Sequence, residues 1–316
     1  MPRFKVLLTD FAWSDLDIER QILGAIGADL IVAPQAVEAT LKKLAADVDA
    51  IMTNWARVSD AVLAAAGHCR IVSRLGIGLD NIDVASATRR GMVVTNVPDY
   101  CLIEVAEHAL AMLLAQARKI AFWHLETTHG SYQLQSGPIL RRIEGQTLGI
   151  VGFGRIGRKL ADKAAALGLQ ILATGRIRRD LPPYAQWCSL DELLAESHYI
   201  SLHVPLTPET RHMIGAEQFA RMKPAAYLIN TARGGLIDHA ALAAALAANK
   251  IAGAGLDVQE PEPPDLSKPP FNDPRVIVTP HAAFVSAESL INLRTRASQQ
   301  VADFLTGRTP ENVVNR

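Results

Sequence analysis

The chain has 316 residues, of which 49% are hydrophobic and 20% are charged. This length exceeds what a single hydrophobic core usually supports, so we expect two well-packed domains. The 32 basic and 32 acidic side chains balance, which excludes a net field that would attract nucleic acid or an anionic membrane. We therefore expect a small-molecule ligand held by a local site, with no nucleic acid and no membrane as partner.

Short apolar runs alternate with amphipathic stretches in the first hundred residues, which is typical of a parallel sheet covered by helices. The strands predicted there are Phe4 to Leu8, Leu30 to Ala33, Ala50 to Met52, Ile71 to Ser73 and Val93 to Thr95. Pro98 then interrupts the pattern before a long, largely buried helix predicted over Glu104 to Lys119. We place a crossing between two domains at this point.

The same alternation resumes near residue 147 and continues to about residue 285. The strands predicted in this half are Thr147 to Val151, Ile171 to Thr174, Tyr199 to Val204, Ala226 to Asn230, Gly253 to Asp257 and Val276 to Thr279. Prolines between Glu260 and Pro274 predict a loop, and Ala287 to Leu305 predicts a final helix that returns to the first domain. The predicted fold is α/β, with two Rossmann-like doubly wound parallel-sheet domains, residues 1–98 plus 287–316 and residues 99–286.

A glycine fingerprint, Gly152-Phe153-Gly154-Arg155-Ile156-Gly157, directly follows one of these strands. Gly152 permits the tight turn, Gly154 lets the backbone approach phosphates, and Gly157 lets the next helix pack close to the strand. A helix predicted over Arg158 to Leu167 follows, and its N-terminus offers free N–H groups to an anion. Arg155 and Ile156 of the turn are also predicted to bind the cofactor. The sequence therefore predicts a dinucleotide site, against the alternative of a glycine turn without a ligand.

Three further loops follow predicted strands, and each carries a different ionisable side chain: Arg233, Glu262 and His281. The guanidinium of Arg233 could bind a carboxylate at two points and polarise an adjacent carbonyl. A carboxylate beside His281 would orient the ring and favour its protonated form, so that it could deliver a proton. The structural alternatives are an arginine that pairs with a helix, a solvated loop carboxylate and a helix cap.

Together with the fingerprint, these loops resemble the D-2-hydroxyacid dehydrogenase family. The resemblance covers nearly the entire chain, from the segment Arg74 to Asp83 to the tail Asn312 to Asn315. It implies a flavodoxin-like substrate-binding domain made of both chain ends, a nucleotide domain made of the middle, and an active-site cleft between them. The implied activity is hydride transfer between a nicotinamide cofactor and a small 2-oxo or D-2-hydroxy acid, in an enzyme similar to glyoxylate and hydroxypyruvate reductases.

The resemblance also implies roles for individual residues. Arg233, Glu262 and His281 fall on the family's catalytic arginine, glutamate and histidine. The aspartate that matches Asp257 holds the nicotinamide carboxamide. The backbone of Leu75, Gly76 and Ile77 would line the substrate carboxylate opposite Arg233. Further cofactor-binding positions implied by the resemblance are Val204, Pro205, Thr231 and Ala232.

The strand that follows the fingerprint ends in Thr174-Gly175-Arg176, where a fold that prefers NAD normally has an acid. A glycine with Arg176, Arg178 and Arg179 beside it would make room for a 2′-phosphate and bind it. The same Thr-Gly-Arg ending resembles NADPH-dependent reductases of the family. We therefore predict NADP as the preferred cofactor; the alternatives are NAD and an exposed basic loop without a cofactor role.

Phe284 stands where many family members have glycine, and an aromatic there resembles the C-terminal-binding-protein branch, as do Asp17 to Arg20 and Asn96 to Tyr100. That branch includes NAD(H)-binding transcriptional corepressors. A dinucleotide-sensing interaction protein is therefore one alternative, and an enzyme similar to D-3-phosphoglycerate dehydrogenase is the other. The retained trio and the absence of long tails or an appended regulatory domain favour the small reductase.

The aromatic stretches Phe122-Trp123-His124 and Ser131 to Leu134 lie beside the predicted domain crossing. Family members dimerise through this part, so we expect a homodimer, with ordinary core packing as the alternative. The sequence does not identify the substrate, and side chains such as Trp55, Arg57 and Tyr100 could line its pocket.

The remaining histidines and the cysteines indicate neither metal binding nor export. His124, His129 and His239 lack metal-ligand spacing, so no metal is inferred, and His108 is interpreted as structural. The cysteines Cys69, Cys101 and Cys188 form no CxxC pair, which indicates neither a disulfide framework nor a zinc site. The first apolar run is too short for a signal peptide and no later run reaches ~18 residues, so we expect a cytoplasmic protein.

Overall fold

The structure is a computed structural model that describes residues 3–178 and 180–315. The strands are, in chain order, β1 Phe4–Leu8, β2 Ala28–Val32, β3 Ala50–Thr53, β4 Ile71–Arg74, β5 Val93–Thr95, β6 Thr147–Val151, β7 Gln170–Thr174, β8 Ala185–Trp187, β9 Tyr199–Leu202, β10 Tyr227–Asn230, β11 Gly253–Leu256 and β12 Val276–Val278. The helices are α1 Asp17–Gly24, α2 Glu38–Ala45, α3 Asp60–Ala65, α4 Val84–Arg89, α5 Leu102–Arg118, α6 Ile120–Thr128, α7 Arg155–Ala166, α8 Leu190–Glu196, α9 Ala216–Arg221, α10 His239–Ala247 and α11 Ala287–Leu305. Two short 3-10 helices cover Leu134–Ser136 and Gly234–Leu236.

The described residues form two compact units, one made of residues up to 100 together with those from 286 onward, the other of residues 101–285. The first unit contains a parallel five-stranded sheet in the order β2-β1-β3-β4-β5. Strands such as β3 and β4 are buried along their whole length, because helices cover both faces of a parallel sheet and their apolar side chains leave water.

Helix α11 completes the first unit by packing against α1 and β4. Arg294 of this helix donates two hydrogen bonds to the fully buried carboxylate of Glu19 in α1, at 2.9 and 2.8 Å, and a third to the carboxylate of Asp15 at 2.7 Å. A buried charge is tolerated only when it is paired in this way. The first unit therefore depends on chain segments 275 residues apart.

The second unit contains a parallel seven-stranded sheet in the order β12-β11-β10-β9-β6-β7-β8. The chain runs from β6 to β7 and β8 on one side and then crosses to β9 on the other side of β6, so the strand order reverses between β6 and β9. In an open parallel sheet this reversal leaves a crevice at the carboxyl ends of the strands, where ligands bind. The glycine fingerprint follows β6 and therefore lies at the reversal.

The predicted α/β class with two parallel-sheet domains is confirmed. Most strand limits agree to within two residues, and α11 has its predicted limits. The short strand β8 was not predicted, and the helix after the fingerprint begins at Arg155, three residues before Arg158. Among the described residues no helix is both long and apolar enough to cross a membrane.

Candidate active site

The glycine turn is shaped by contacts that leave no room for side chains at two of its three glycines. Gly152 has φ +102°, and a Cβ there would lie 2.6 Å from the backbone of His203. At Gly157 a Cβ would lie 2.5 Å from the carbonyl oxygen of Gly152. At Gly154 there is open space. This cradle, with the first turn of α7 starting at Arg155 and Ile156, fits a dinucleotide pyrophosphate.

The other sequence-predicted cofactor positions follow strands of the same sheet and so emerge at the same edge. They are Gly175 and Arg176 after β7, Val204 and Pro205 after β9, Thr231 and Ala232 after β10, and Asp257 after β11. The hydroxyl of Thr231 is buried without a hydrogen-bond partner. Such an orphaned polar atom at a strand end is a feature expected beside a polar ligand.

Hydrogen bonds from Thr207 and from the backbone lower the pKa of the Glu209 carboxyl, and the charge of Arg176 makes a smaller contribution in the same direction. Gly175 has no left-handed φ, and a Cβ there would be in ordinary contact with the ring of Trp187 at 3.5 Å. Space for a side chain is therefore present beside Arg176. Arg179, the third arginine of this stretch, lies outside the described residues.

Glu262 and His281 form a hydrogen-bonded pair, with 2.9 Å between Oε2 of Glu262 and Nδ1 of His281. The other carboxylate oxygen of Glu262 accepts the backbone N–H of Gln259 at 2.8 Å. Burial works to raise the pKa of Glu262, but the hydrogen bonds from His281 and Gln259 and the charge of Arg233 together lower it. Since an ionised carboxylate only accepts, Nδ1 of His281 carries a hydrogen and Nε2 is directed away from Glu262.

Arg233 follows β10 in a loop that is braced by a fully buried asparagine. The side chain of Asn230 donates to the carbonyl of Arg233 at 2.8 Å and accepts the N–H of Ala232 at 3.0 Å. The next residue, Gly234, packs so closely that a Cβ would lie 2.1 Å from the backbone of Gln259. This contact holds the Arg233 loop against the loop that begins at Gln259 and continues to Glu262.

Asp257 is fully buried and is bonded to its own chain. Its carboxylate accepts the hydroxyl of Thr279 at 2.5 Å and the N–H groups of Ala282 at 2.8 Å and Ala283 at 2.9 Å. Its backbone carbonyl accepts the N–H of His281 at 2.8 Å. The structure therefore shows Asp257 holding the loop of His281, while its contact with a nicotinamide rests on the family resemblance.

His108 lies beside this aspartate, which the sequence did not indicate. Its Nε2 is 3.0 Å from the hydroxyl oxygen of Thr279 and 3.5 Å from the carboxylate of Asp257. The sequence did not predict a contact between His108 and Thr279. The two residues are 171 positions apart and no local pattern links them. Phe284, which stands where many family members have glycine, is buried, and its ring centroid lies 6.2 Å from that of His281.

Leu75, Gly76 and Ile77 follow β4 in the first unit, where their carbonyl groups are bound within that unit. The carbonyl of Leu75 accepts a hydrogen bond from Arg74, and that of Gly76 accepts the N–H of Val97 at 3.1 Å. The carbonyl of Ile77 accepts the side-chain amide of Asn96 at 2.7 Å. Gly76 has φ +153°, and a Cβ there would meet the guanidinium of Arg74 at 2.3 Å. Glycine is therefore required at this turn.

No group of three or more histidine, cysteine or acidic side chains that could hold a metal lies within residues 3–178 and 180–315. The second unit instead contains a close-packed glycine turn, a half-buried arginine and a paired glutamate and histidine. An arginine can hold a carboxylate, and a histidine oriented by a carboxylate can exchange a proton. An arginine and a glutamate–histidine pair beside a dinucleotide-binding fold are the groups that proton-coupled reduction of a carbonyl requires.

Comparison with known proteins identifies the same chemistry. Residues 110–283 match the model of the D-isomer specific 2-hydroxyacid dehydrogenase NAD binding domain. The chain is 41% identical to a glyoxylate reductase of Korarchaeum cryptofilum over 85% of this chain and 83% of that protein. It is 37% identical to a D-3-phosphoglycerate dehydrogenase of Synechocystis over 98% of this chain and 56% of that protein. A crystal structure of D-lactate dehydrogenase from Aquifex aeolicus, complexed with NAD and lactic acid, superposes with a TM-score of 0.89 at 28% identity and covers 99% of each chain.

The fold and the site thus define an oxidoreductase with an NAD binding domain that acts on the CH–OH group of its donors. The chain belongs to the D-isomer-specific 2-hydroxyacid dehydrogenase family. The resemblance and the enzyme class predicted from the sequence are both confirmed.

Proposed function

We propose that this enzyme is an NADPH-preferring reductase of a small 2-oxo acid, of the glyoxylate or hydroxypyruvate type. The observation that carries the proposal is the Glu262–His281 hydrogen bond of 2.9 Å at the sheet edge where the glycine turn also lies. The 41% identity to a glyoxylate reductase supports the substrate class. The D isomer follows from the family.

In the proposed reaction Arg233 holds the substrate carboxylate and polarises the neighbouring carbonyl, because its planar guanidinium donates two parallel hydrogen bonds. When bound, the reduced nicotinamide supplies a hydride to the carbonyl carbon. His281 donates a proton to the carbonyl oxygen, which completes the alcohol, and then takes a proton from solvent. Glu262 fixes the ring orientation through its hydrogen bond to Nδ1 of His281.

We assign substrate binding to residues 1–98 and 287–316 and dinucleotide binding to residues 99–286. Within the first group, the N–H of Leu75 is bonded to the carbonyl of Thr53 at 2.8 Å, so the N–H groups of Gly76 and Ile77 are the ones assigned to a substrate carboxylate. Within the second, Gly152, Gly154 and Gly157 take the pyrophosphate, and Val204, Pro205, Thr231, Ala232 and Asp257 line the rest of the cofactor.

NADPH is favoured by Gly175 and Arg176. An acid at position 175 would repel a 2′-phosphate, whereas the glycine leaves space for it and Arg176 supplies a positive charge.

The proposed catalysis is tested by steady-state assays with 2-oxo acids and by the Arg233→Ala and Arg233→Lys variants. We expect glyoxylate and hydroxypyruvate to be reduced with the highest kcat/KM. Arg233→Ala should lower kcat/KM by at least ~100-fold, since a charge-assisted two-point contact is lost, and Arg233→Lys should recover only part because lysine cannot bind at two points. Arg221→Ala, which removes an arginine paired with Asp191 and Glu217 elsewhere on the surface, is the control and should leave turnover unchanged.

The outcomes separate the candidates. Full activity of Arg233→Ala would contradict its assigned role. Preferential oxidation of 3-phosphoglycerate would favour the second candidate function, a D-3-phosphoglycerate dehydrogenase. The 37% identity to such an enzyme supports that candidate. Absence of turnover with every 2-oxo acid would contradict the proposed function.

We also propose that the enzyme is a cytoplasmic homodimer assembled through α6 and the segment that follows it. No residue of α6 is buried, although the helix includes Phe122 and Trp123. Beyond it, Tyr132 is 90% exposed, Leu134 81% and Ile139 91%. Apolar side chains concentrated in this way mark an interaction surface, so these residues are not part of the core of the unit. The free thiols of Cys69 and Cys188 suit a reducing compartment.

A further inference from the structure

We propose that His108 and Thr279 are positioning residues, which act through Asp257 to hold the loop of His281 in its working conformation. The inference rests on the proposed role of His281 and names two residues that neither the motifs nor the family comparison assigns. It follows from the hydrogen-bond directions, from the backbone conformation of His281 and from the way α5 is anchored.

Hydrogen-bond directions are fixed by the single hydrogen of the Thr279 hydroxyl. At 2.5 Å from the carboxylate of Asp257, which only accepts, Thr279 must donate that hydrogen to Asp257. Its oxygen therefore accepts at the 3.0 Å contact with Nε2 of His108. His108 consequently carries a hydrogen on Nε2, and the three groups form one directed chain from imidazole to hydroxyl to carboxylate.

The end of this chain controls the backbone around His281. The Asp257 carboxylate accepts the N–H groups of Ala282 and Ala283, and the carbonyl of the same aspartate accepts the N–H of His281. His281 has φ +53°, a left-handed conformation that is unfavourable for a residue other than glycine. Such a conformation persists only where surrounding bonds fix it, and here Asp257 provides three of them.

His108 can act as an anchor because its helix is tightly packed. Helix α5 is 17 residues long and lies against β10 and β11. At Gly255 of β11 a Cβ would be only 3.1 Å from the side chain of Met112, so the strand and the helix are in close contact at this point. Asp257 follows this same strand. Packing of α5 therefore fixes the distance from His108 to the Thr279–Asp257 pair.

The proposal is tested by paired substitutions that remove or retain each donor. His108→Phe keeps a flat ring without the N–H, and His108→Gln keeps an N–H donor of similar reach. Thr279→Val removes only the hydroxyl, and Thr279→Ser retains it. Glu107→Gln, which loses an exposed ion pair with Lys163 on the neighbouring surface of α5, is the control. Each variant is measured by kcat and KM and by hydrogen–deuterium exchange of the amides of residues 281–283.

We expect His108→Phe and Thr279→Val to lower kcat about tenfold while the KM for the 2-oxo acid stays unchanged, since the proton donor is displaced but substrate binding is not. Amide exchange at residues 282 and 283 should accelerate about fivefold, which corresponds to the loss of one net hydrogen bond. His108→Gln, Thr279→Ser and Glu107→Gln should resemble the unmodified enzyme in both measurements.

Unchanged exchange and unchanged kcat in both donor-free variants would overturn the proposal. Equal losses in His108→Gln and His108→Phe would also overturn it, because packing and not hydrogen bonding would then be the cause. If His108→Phe does not fold, Thr279→Val carries the test. Amide exchange is measured without substrate. It therefore tests the positioning of the His281 loop even if the proposed reaction is not observed.

Discussion

At the scale of single residues, the proposed preference for NADPH rests on the absence of a side chain at Gly175. The Cβ position of Gly175 is 3.5 Å from Trp187 and 3.9 Å from the Cα of Gly152, which are ordinary contacts. Steric crowding therefore does not require glycine here. The absence of a carboxylate fits the proposed NADPH preference, because a carboxylate would stand where the 2′-phosphate is proposed to bind.

The substitution Gly175→Asp should accordingly reverse the cofactor preference. We expect kcat/KM for NADPH to fall about 100-fold, since like charges placed together cost several kcal/mol, and kcat/KM for NADH to be retained or improved. The measurement is steady-state kinetics with both reduced cofactors. Gly175→Asn, of equal size but uncharged, is the matched control and should retain the NADPH preference. A clear NADH preference of the unmodified enzyme would contradict the prediction at the outset.

At the scale of elements, the sequence predicted what local patterns encode. The strand β6 and the helix α11 have their predicted limits because an unbroken apolar run and a Ser286 cap define them. The edge strand β8 was missed because it has three residues with a polar Gln186 in the middle. The loops of Arg233, Glu262 and His281 could be predicted from strand ends, whereas the place of His108 depends on packing between distant elements.

The junction between β6 and β9 has its own pH dependence. His203 follows β9, donates its N–H to Val151 at 2.7 Å and contacts Ser201 through its ring at 2.9 Å. Burial of the ring lowers the pKa of His203 to about 4. The unfolded chain takes up a proton below about pH 6.5, and the folded chain does so only near pH 4. The stability contributed by neutral His203 is therefore present above pH 6.5 and is lost as the pH falls toward 4.

We expect His203→Gln to reduce this loss. Between pH 7.5 and pH 5 the free energy of unfolding of the unmodified protein should fall by roughly 1–2 kcal/mol more than that of the variant, a range that allows for partial solvent screening of the residue. Urea unfolding at the two pH values measures the difference. His68→Gln, at an exposed position, should follow the unmodified protein. Parallel pH dependence in His203→Gln would show that the ring is protonated as easily in the folded state as in the unfolded chain.

At the scale of the whole molecule, assembly should depend on the exposed apolar segment after α5. We expect the unmodified protein to have twice the mass of one chain in solution, and the double variant Tyr132→Asp with Ile139→Asp to dissociate to monomers, because charges would have to be buried without partners. Light scattering coupled to gel filtration gives the masses. Leu266→Asp replaces an apolar residue that is also exposed, at 60%, and should leave the mass unchanged. A monomeric unmodified protein would refute the assembly.

The pairing of Glu19 with Arg294 has a consequence for synthesis of the chain. The two residues are 275 positions apart, and at translation rates of about 5–20 residues per second the arginine is made roughly 14 to 55 s after the glutamate. The second unit is continuous in sequence, and all of its residues precede this arginine. On the ribosome the order of completion is therefore inverted: the unit that begins first is finished last, and its nascent strands must wait for the final helix.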